Sequence, residues 1–280
     1  MSEIETYCAK QIKNYDYDRF LVTLFAPASA RENLFALYAF NHEVAKIREA
    51  VSEPMLGEIR LQWWREAIEG IYENSPRNHE VVLPLHKAVQ GTDIPLQSFI
   101  DIIDARAADI YDDNHKTITD FEDYLGKTSG NLAKLGAQII GSRDETSLSL
   151  AYDMGLVWGL IGTIRTIRYH ISLRKLSLPQ DVMDQYGVSK QDIFGQTENE
   201  NINQLIKDLC KSALGYLGQI SQDKKQIDKD IRSLFLLSAL SRSYLNMIEK
   251  AHYNPFQFDE RAGMFQRQSR LFFSALFGLI

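Results

Sequence analysis

The chain has 280 residues, 45% of them hydrophobic and 24% charged, with a net charge of −6 and a pI near 5.6. That length suits one large hydrophobic core and is too short for two full-sized domains with a linker. The acidic balance argues against nucleic acid as a partner, since such binders are usually basic, and two cysteines far apart in sequence, Cys8 and Cys210, offer no disulfide framework.

Neither cysteine has a nearby His or basic cluster to activate it, so both read as small buried hydrophobes in a reducing compartment. The opening Met1-Ser2-Glu3-Ile4-Glu5 is acidic and lacks an apolar run, which predicts neither a signal nor a transit peptide. No stretch reads as the roughly 18 apolar residues of a membrane span. The location these features predict is the cytoplasm.

Apolar residues recur at helical spacing almost throughout, and alternating strand patterns are absent. Helices are predicted over 2–14, 28–50, 54–72, 80–91, 95–112, 119–141, 145–173, 200–221, 228–251 and 258–279. The seven prolines are read as falling between these patterns. From Met55 to Tyr72 two apolar stripes, Leu56/Ile59/Trp63/Ala67 and Leu61/Trp64/Ile68/Tyr72, predict a helix buried on both sides. Residues 174–200, with Pro179, Gly187 and Gly195, read as a lid or a long connection.

Four groups of residues then appear in order. They are Asp18-Arg19-Phe20 with Ala26-Pro27, Arg31 and Leu37-Tyr38-Ala39-Phe40; Arg60-Leu61-Gln62-Trp63-Trp64-Arg65; Tyr124 with Lys127-Thr128-Ser129-Gly130; and Leu178-Pro179 with Tyr186-Gly187-Val188. Together they resemble the squalene/phytoene synthase family, from about residue 7 to 190 and more weakly beyond. The resemblance implies an all-α isoprenoid-synthase bundle with a central cavity, formed as one domain over residues 1–280.

In active members of that family, two aspartate-rich segments hold magnesium ions that grip a prenyl diphosphate. Mg²⁺ needs hard oxygen ligands, mostly carboxylates, phosphate oxygens and water. Here the first segment places Ala45, Lys46 and Glu49 at the aspartate positions, and the second places Thr166 and His170. One carboxylate of five survives, and the Lys46 ammonium would repel a cation. No magnesium or other cofactor is therefore expected. His42 stands where the family usually has an Arg, as a weakened phosphate contact or a satisfied core residue.

This loss, with Tyr169-His170 and Arg174-Lys175 before Leu178-Pro179, resembles the degenerate branch of the family that includes an assembly factor of respiratory complex I. It implies a non-catalytic or residual role, with a complex I subunit or assembly intermediate as partner. The alternative is an active head-to-head prenyltransferase acting on prenyl diphosphates. Arg165, Arg168, His170, Arg174 and Lys175 have no acid among them. They read either as an anion site for an anionic isoprenoid lipid or as a solvated helix end.

Asp109, Asp112, Asp113 and His115 offer either a metal cluster or a solvated helix end. The C-terminal Leu271–Ile280, behind Arg261, Arg267 and Arg270, reads either as a peripheral contact with the inner membrane or a partner, or as a packed terminal helix.

Overall fold

The computed structural model describes residues 5–111, 115–258 and 263–278. In chain order the helices are α1 (Tyr7–Tyr15), α2 (Tyr17–Thr23), α3 (Arg31–Ala45), α4 (Pro54–Tyr72) and α5 (Val82–Val89). They continue as α6 (Leu96–Ala105), α7 (Ala107–Ile110), α8 (Ile118–Leu125), α9 (Asn131–Ile140) and α10 (Glu145–Ser172). The last five are α11 (Gln180–Gln185), α12 (Lys190–Phe194), α13 (Glu200–Asp223), α14 (Leu237–Lys250) and α15 (Met264–Phe277). The fold is all-α, and no strand occurs among the described residues. The described residues divide into two compact units, one drawn from 5–111, 131–152 and 226–235, the other from 115–130, 153–225, 236–258 and 263–278.

The first unit is built around α3. Leu34 to Phe40 are buried without a break, so this helix is apolar on every side, as a central helix must be. It packs on α1, α5 and α9. Phe40 meets the rings of Trp64 and Phe99 edge-on at 5.5 Å each. Arg19 is buried beside this core because its charge is matched: Nη1 donates to Asp16 at 2.7 Å and the guanidinium lies 5.4 Å from the Tyr38 ring. Of the two stripes on α4, Leu61, Trp64 and Ile68 are buried, whereas Leu56 and Ile59 are exposed. The expected two-sided burial therefore fails at the start of this helix. Pro84 is the third residue of α5 rather than a break before it; in the first turn its missing N–H has no intrahelical partner to lose.

In the second unit α8 runs directly into a single π-helical turn, Gly126–Gly130, with the Thr128 hydroxyl donating to the Tyr124 carbonyl at 2.7 Å. Segment 174–200 is a structured connection carrying α11 and α12. It is tied down by backbone bonds from Gln180 and Asp181 to the carbonyls of His115 and Lys116, and by a Ser189–Asp192 capping box.

The 28-residue α10 contains an 18-residue window long and apolar enough to cross a membrane. The sequence reading passed over it. However, 72% of that window is buried inside the protein, as in the core helix of a bundle. Cys8 and Cys210 are both buried thiols, and burial pushes each pKa up to about 12, which makes them poor nucleophiles.

Candidate functional site

The sequence-derived positions fall into two groups, one in each unit. In the first unit, α3 ends at Ala45, Lys46 is its C-cap, and Ile47–Ala50 continue as a 3-10 turn. Ala45 brings no donor atom beyond its backbone. Lys46 Nζ lies 2.6 Å from Glu43 Oε1, so its charge is already compensated one turn back along the helix. Glu43 is a residue the sequence reading passed over, although its (i, i+3) spacing to Lys46 was visible. Glu49, the surviving acid, is exposed on the 3-10 turn. His42 is half-buried and stacks on Tyr15 with ring centroids 4.5 Å apart. Burial first, and then the Lys46 charge, hold its imidazole below the usual pKa.

In the second unit the basic stretch separates into two parts. Arg165 turns inward. Its guanidinium carbon lies 3.8 Å from the Tyr244 ring centroid and 5.3 Å from that of Trp158. Arg267 approaches the same Tyr244 ring at 4.6 Å. Tyr244 is almost fully buried, so two guanidiniums are drawn to one dry aromatic face system.

Arg168 and Arg174 are exposed at the end of α10. Arg174 takes the left-handed conformation (φ 56°), and the His170 carbonyl accepts from the N–H groups of Leu173 and Lys175. That is the geometry of a helix C-terminus, where cations suit the dipole. Arg168 and Arg174 thus face solvent at the helix end, whereas Arg165 is turned onto the Tyr244 and Trp158 rings.

Thr166 and His170 complete the second group. The Thr166 hydroxyl donates to the Gly162 carbonyl at 2.8 Å, and His170 Nδ1 is 3.1 Å from Ser177 Oγ. Taken one by one, the residues at the five positions that the resemblance assigns to magnesium do not suit that ion. One is an alanine, one an ion-paired ammonium, one a hydroxyl turned onto its own helix, one an imidazole; only Glu49 offers a carboxylate. Asp112 and Asp113 lie outside the described residues. Asp109 is ion-paired with Arg106 at 3.1 Å, and His115 packs on Phe121 and Tyr124.

One acid that sequence reading missed is Asp153, half-buried on α10, whose carboxyl pKa is raised by burial. An acid whose folded pKa exceeds its unfolded one adds stability below the unfolded pKa and loses it as pH rises through the folded pKa. Asp153→Asn is therefore expected to unfold at a higher temperature than wild type at pH 7 and at nearly the same temperature at pH 3. A scan of melting temperature against pH for both proteins checks this.

A sequence model of the squalene/phytoene synthase family matches residues 12–271. Over 255 residues the chain is 29% identical to the NADH dehydrogenase (ubiquinone) complex I, assembly factor 6 of Bos taurus, covering 91% of this chain and 77% of that protein. It is 21% identical over 272 residues to the 15-cis-phytoene synthase of Synechococcus elongatus, covering 92% of this chain and 87% of that one. Among solved structures, a dehydrosqualene synthase in complex with ligand superposes with a TM-score of 0.86 over 98% of this chain and 95% of the other at 18% identity, a likeness of fold.

Proposed function

The chain belongs to the squalene/phytoene synthase family, and we propose that it serves as a binding protein that assists the assembly of respiratory complex I at a membrane surface, not as a magnesium-dependent prenyltransferase. The observation that carries this reading is the chemistry of the five inherited metal positions, where Ala45, Lys46, Thr166 and His170 replace carboxylates and Lys46 is bonded to Glu43. The 29% identity to a complex I assembly factor, against 21% to a phytoene synthase, supports the same direction.

The inward Arg165 supports a second element of the reading. Charge-assisted bonds from a guanidinium hold an anionic head without a bridging metal, so the bound molecule is an anionic isoprenoid lipid. The outward face of α15 supplies the peripheral membrane contact.

Deleting the gene is expected to lower NADH:quinone oxidoreductase activity of the cell membranes while succinate oxidation stays unchanged. The wild-type chain restores the activity; Arg165→Ala restores less, and native mass spectrometry finds lipid on the wild type but not on that variant. A charge-assisted bond contributes about 1.5–3 kcal/mol, which predicts at least a tenfold loss of lipid affinity. Unchanged NADH oxidation after deletion, with squalene or phytoene missing from the cells, would overturn the proposal in favour of a working prenyltransferase.

A further inference from the structure

Helices α14 and α15 of the second unit enclose a groove of about 250 Å³. Three cations line it, Lys250, Arg267 and Arg270, with the polar side chains of Ser243, Asn246 and Gln266. No carboxylate lines it among the described residues. The one acid beside Lys250 on α14, Glu249, accepts instead from the Tyr253 hydroxyl at 3.4 Å. Arg267 is only 7% exposed, held by the Tyr244 ring and by a bond from Nη1 to Met247 Sδ at 3.5 Å. Arg270 is exposed, and its Nη1 donates to Ser243 Oγ at 3.3 Å. Lys250 and Arg270 thus set two solvent-facing cations at the mouth of the groove, a suitable receptor for a tetrahedral oxyanion. The volume is several times the roughly 30 Å³ share of a water molecule, enough for a phosphate.

The same helix carries a second, independent feature. At 100° per residue, Arg267, Leu271 and Ser274 fall on one side of α15 and are its buried residues. The opposite side presents Phe265, Phe272, Phe273, Leu276 and Phe277, exposed by 82%, 56%, 55%, 63% and 65%. No Asp or Glu occurs between Met264 and Phe277. An apolar, aromatic face edged by cations is the pattern of a helix lying in a membrane interface. The whole chain carries −6, so its overall field opposes an anionic surface and the attraction must come from this local cluster. A second copy of the chain fits less well, because a two-fold contact sets the same surface against itself, and α15 carries no acid between Met264 and Phe277 to meet Arg270.

We propose that the groove between α14 and α15 holds the phosphate of an anionic phospholipid while the phenylalanine face of α15 lies in the boundary between headgroups and acyl chains. The inference rests on the membrane-surface reading above and adds to it a specific headgroup site.

The test is flotation of the full chain with vesicles of phosphatidylcholine alone, or of phosphatidylcholine mixed with phosphatidylglycerol. Wild type is expected to float with the mixed vesicles and far less with the neutral ones. Each surface cation contributes roughly fivefold, so Lys250→Gln with Arg270→Gln is expected to weaken binding to mixed vesicles on the order of twenty-five-fold. Phe265→Ser with Phe272→Ser is expected to lower binding to both kinds, with circular dichroism unchanged.

Equal binding of wild type to both vesicles, or no effect of the cation pair, overturns the headgroup site while the membrane contact stands. No binding to any vesicle overturns both. A melting temperature raised by inorganic phosphate without vesicle binding assigns the groove to free phosphate and overturns the lipid assignment. A dimer in sedimentation that the phenylalanine substitutions dissociate overturns it in favour of a contact between copies.

Discussion

Gly155→Ala is expected to destabilise the protein by about 3 kcal/mol or more, a larger effect than alanine at any exposed helical site. A Cβ built on Gly155 would sit 2.2 Å from the Ser129 carbonyl oxygen and 2.6 Å from the Gly130 Cα. Both obstacles are backbone, so no side-chain rotation relieves the clash. The π-helical turn at Gly126–Gly130 would have to move away from α10, and close-packed interiors resist such shifts. In a chain of this size the loss corresponds to a fall in melting temperature of about 6 °C or more. Gly162→Ala, on the same helix with nothing within 4 Å of the new Cβ, is the control. It is expected to leave stability unchanged or raise it by up to about 1 kcal/mol, since alanine is the better helix former. Thermal unfolding of the two variants beside wild type decides the matter; equal melting temperatures for both would mean that α10 and the π turn are less closely packed than described.

That contact also explains part of what the sequence made legible. Ser129-Gly130 stands out by resemblance alone, and nothing in its spacing says why a small residue is needed opposite it on a helix that begins fifteen residues later. A long, strongly periodic helix such as α13 is visible because burying an apolar stripe requires the 3.6-residue repeat, and α10 is visible as a long apolar run without a proline. The break between α1 and α2 at Asp16 is not, since it depends on that side chain accepting from the Arg19 N–H to start a new helix. The short α11 and α12 were hidden for a related reason: their ends are fixed by a capping box and by backbone bonds to 115 and 116, not by composition.

The candidate site divides in the same way. The substitutions at 45, 46, 166 and 170 are legible from residue identity alone. The separation of Arg165 from Arg168 and Arg174 is not, because it depends on where α10 ends and on Tyr244, about eighty residues away in sequence. The bond from Lys46 to Glu43 lay within one helical turn, and the spacing rule would have found it.

Purified protein is expected to form no squalene or phytoene from farnesyl or geranylgeranyl diphosphate with Mg²⁺ present, at any rate approaching the roughly 1 per second of an ordinary enzyme. Ionising a prenyl diphosphate requires the leaving group's several negative charges to be neutralised as the carbon–oxygen bond breaks. Metal ions perform that task only where carboxylates hold them in place. In the first group the Glu43–Lys46 pair commits the adjacent acid to an ammonium, and Ala45 offers nothing. In the second, Thr166 gives its hydrogen to Gly162 and His170 faces Ser177. Guanidiniums such as Arg165 can bind a diphosphate in its ground state, but uniform binding of this kind does not raise the rate of the chemical step. The companion measurement is thermal unfolding against Mg²⁺ concentration. A folded-state site raises stability by RT ln(1 + [L]/Kd), about 2.7 kcal/mol at a hundredfold excess over Kd, so a flat melting temperature up to millimolar Mg²⁺ is the expected result. Product formation at enzymatic rates together with a saturable rise in melting temperature would overturn the argument, and would place the metal on acids other than those the family resemblance identifies.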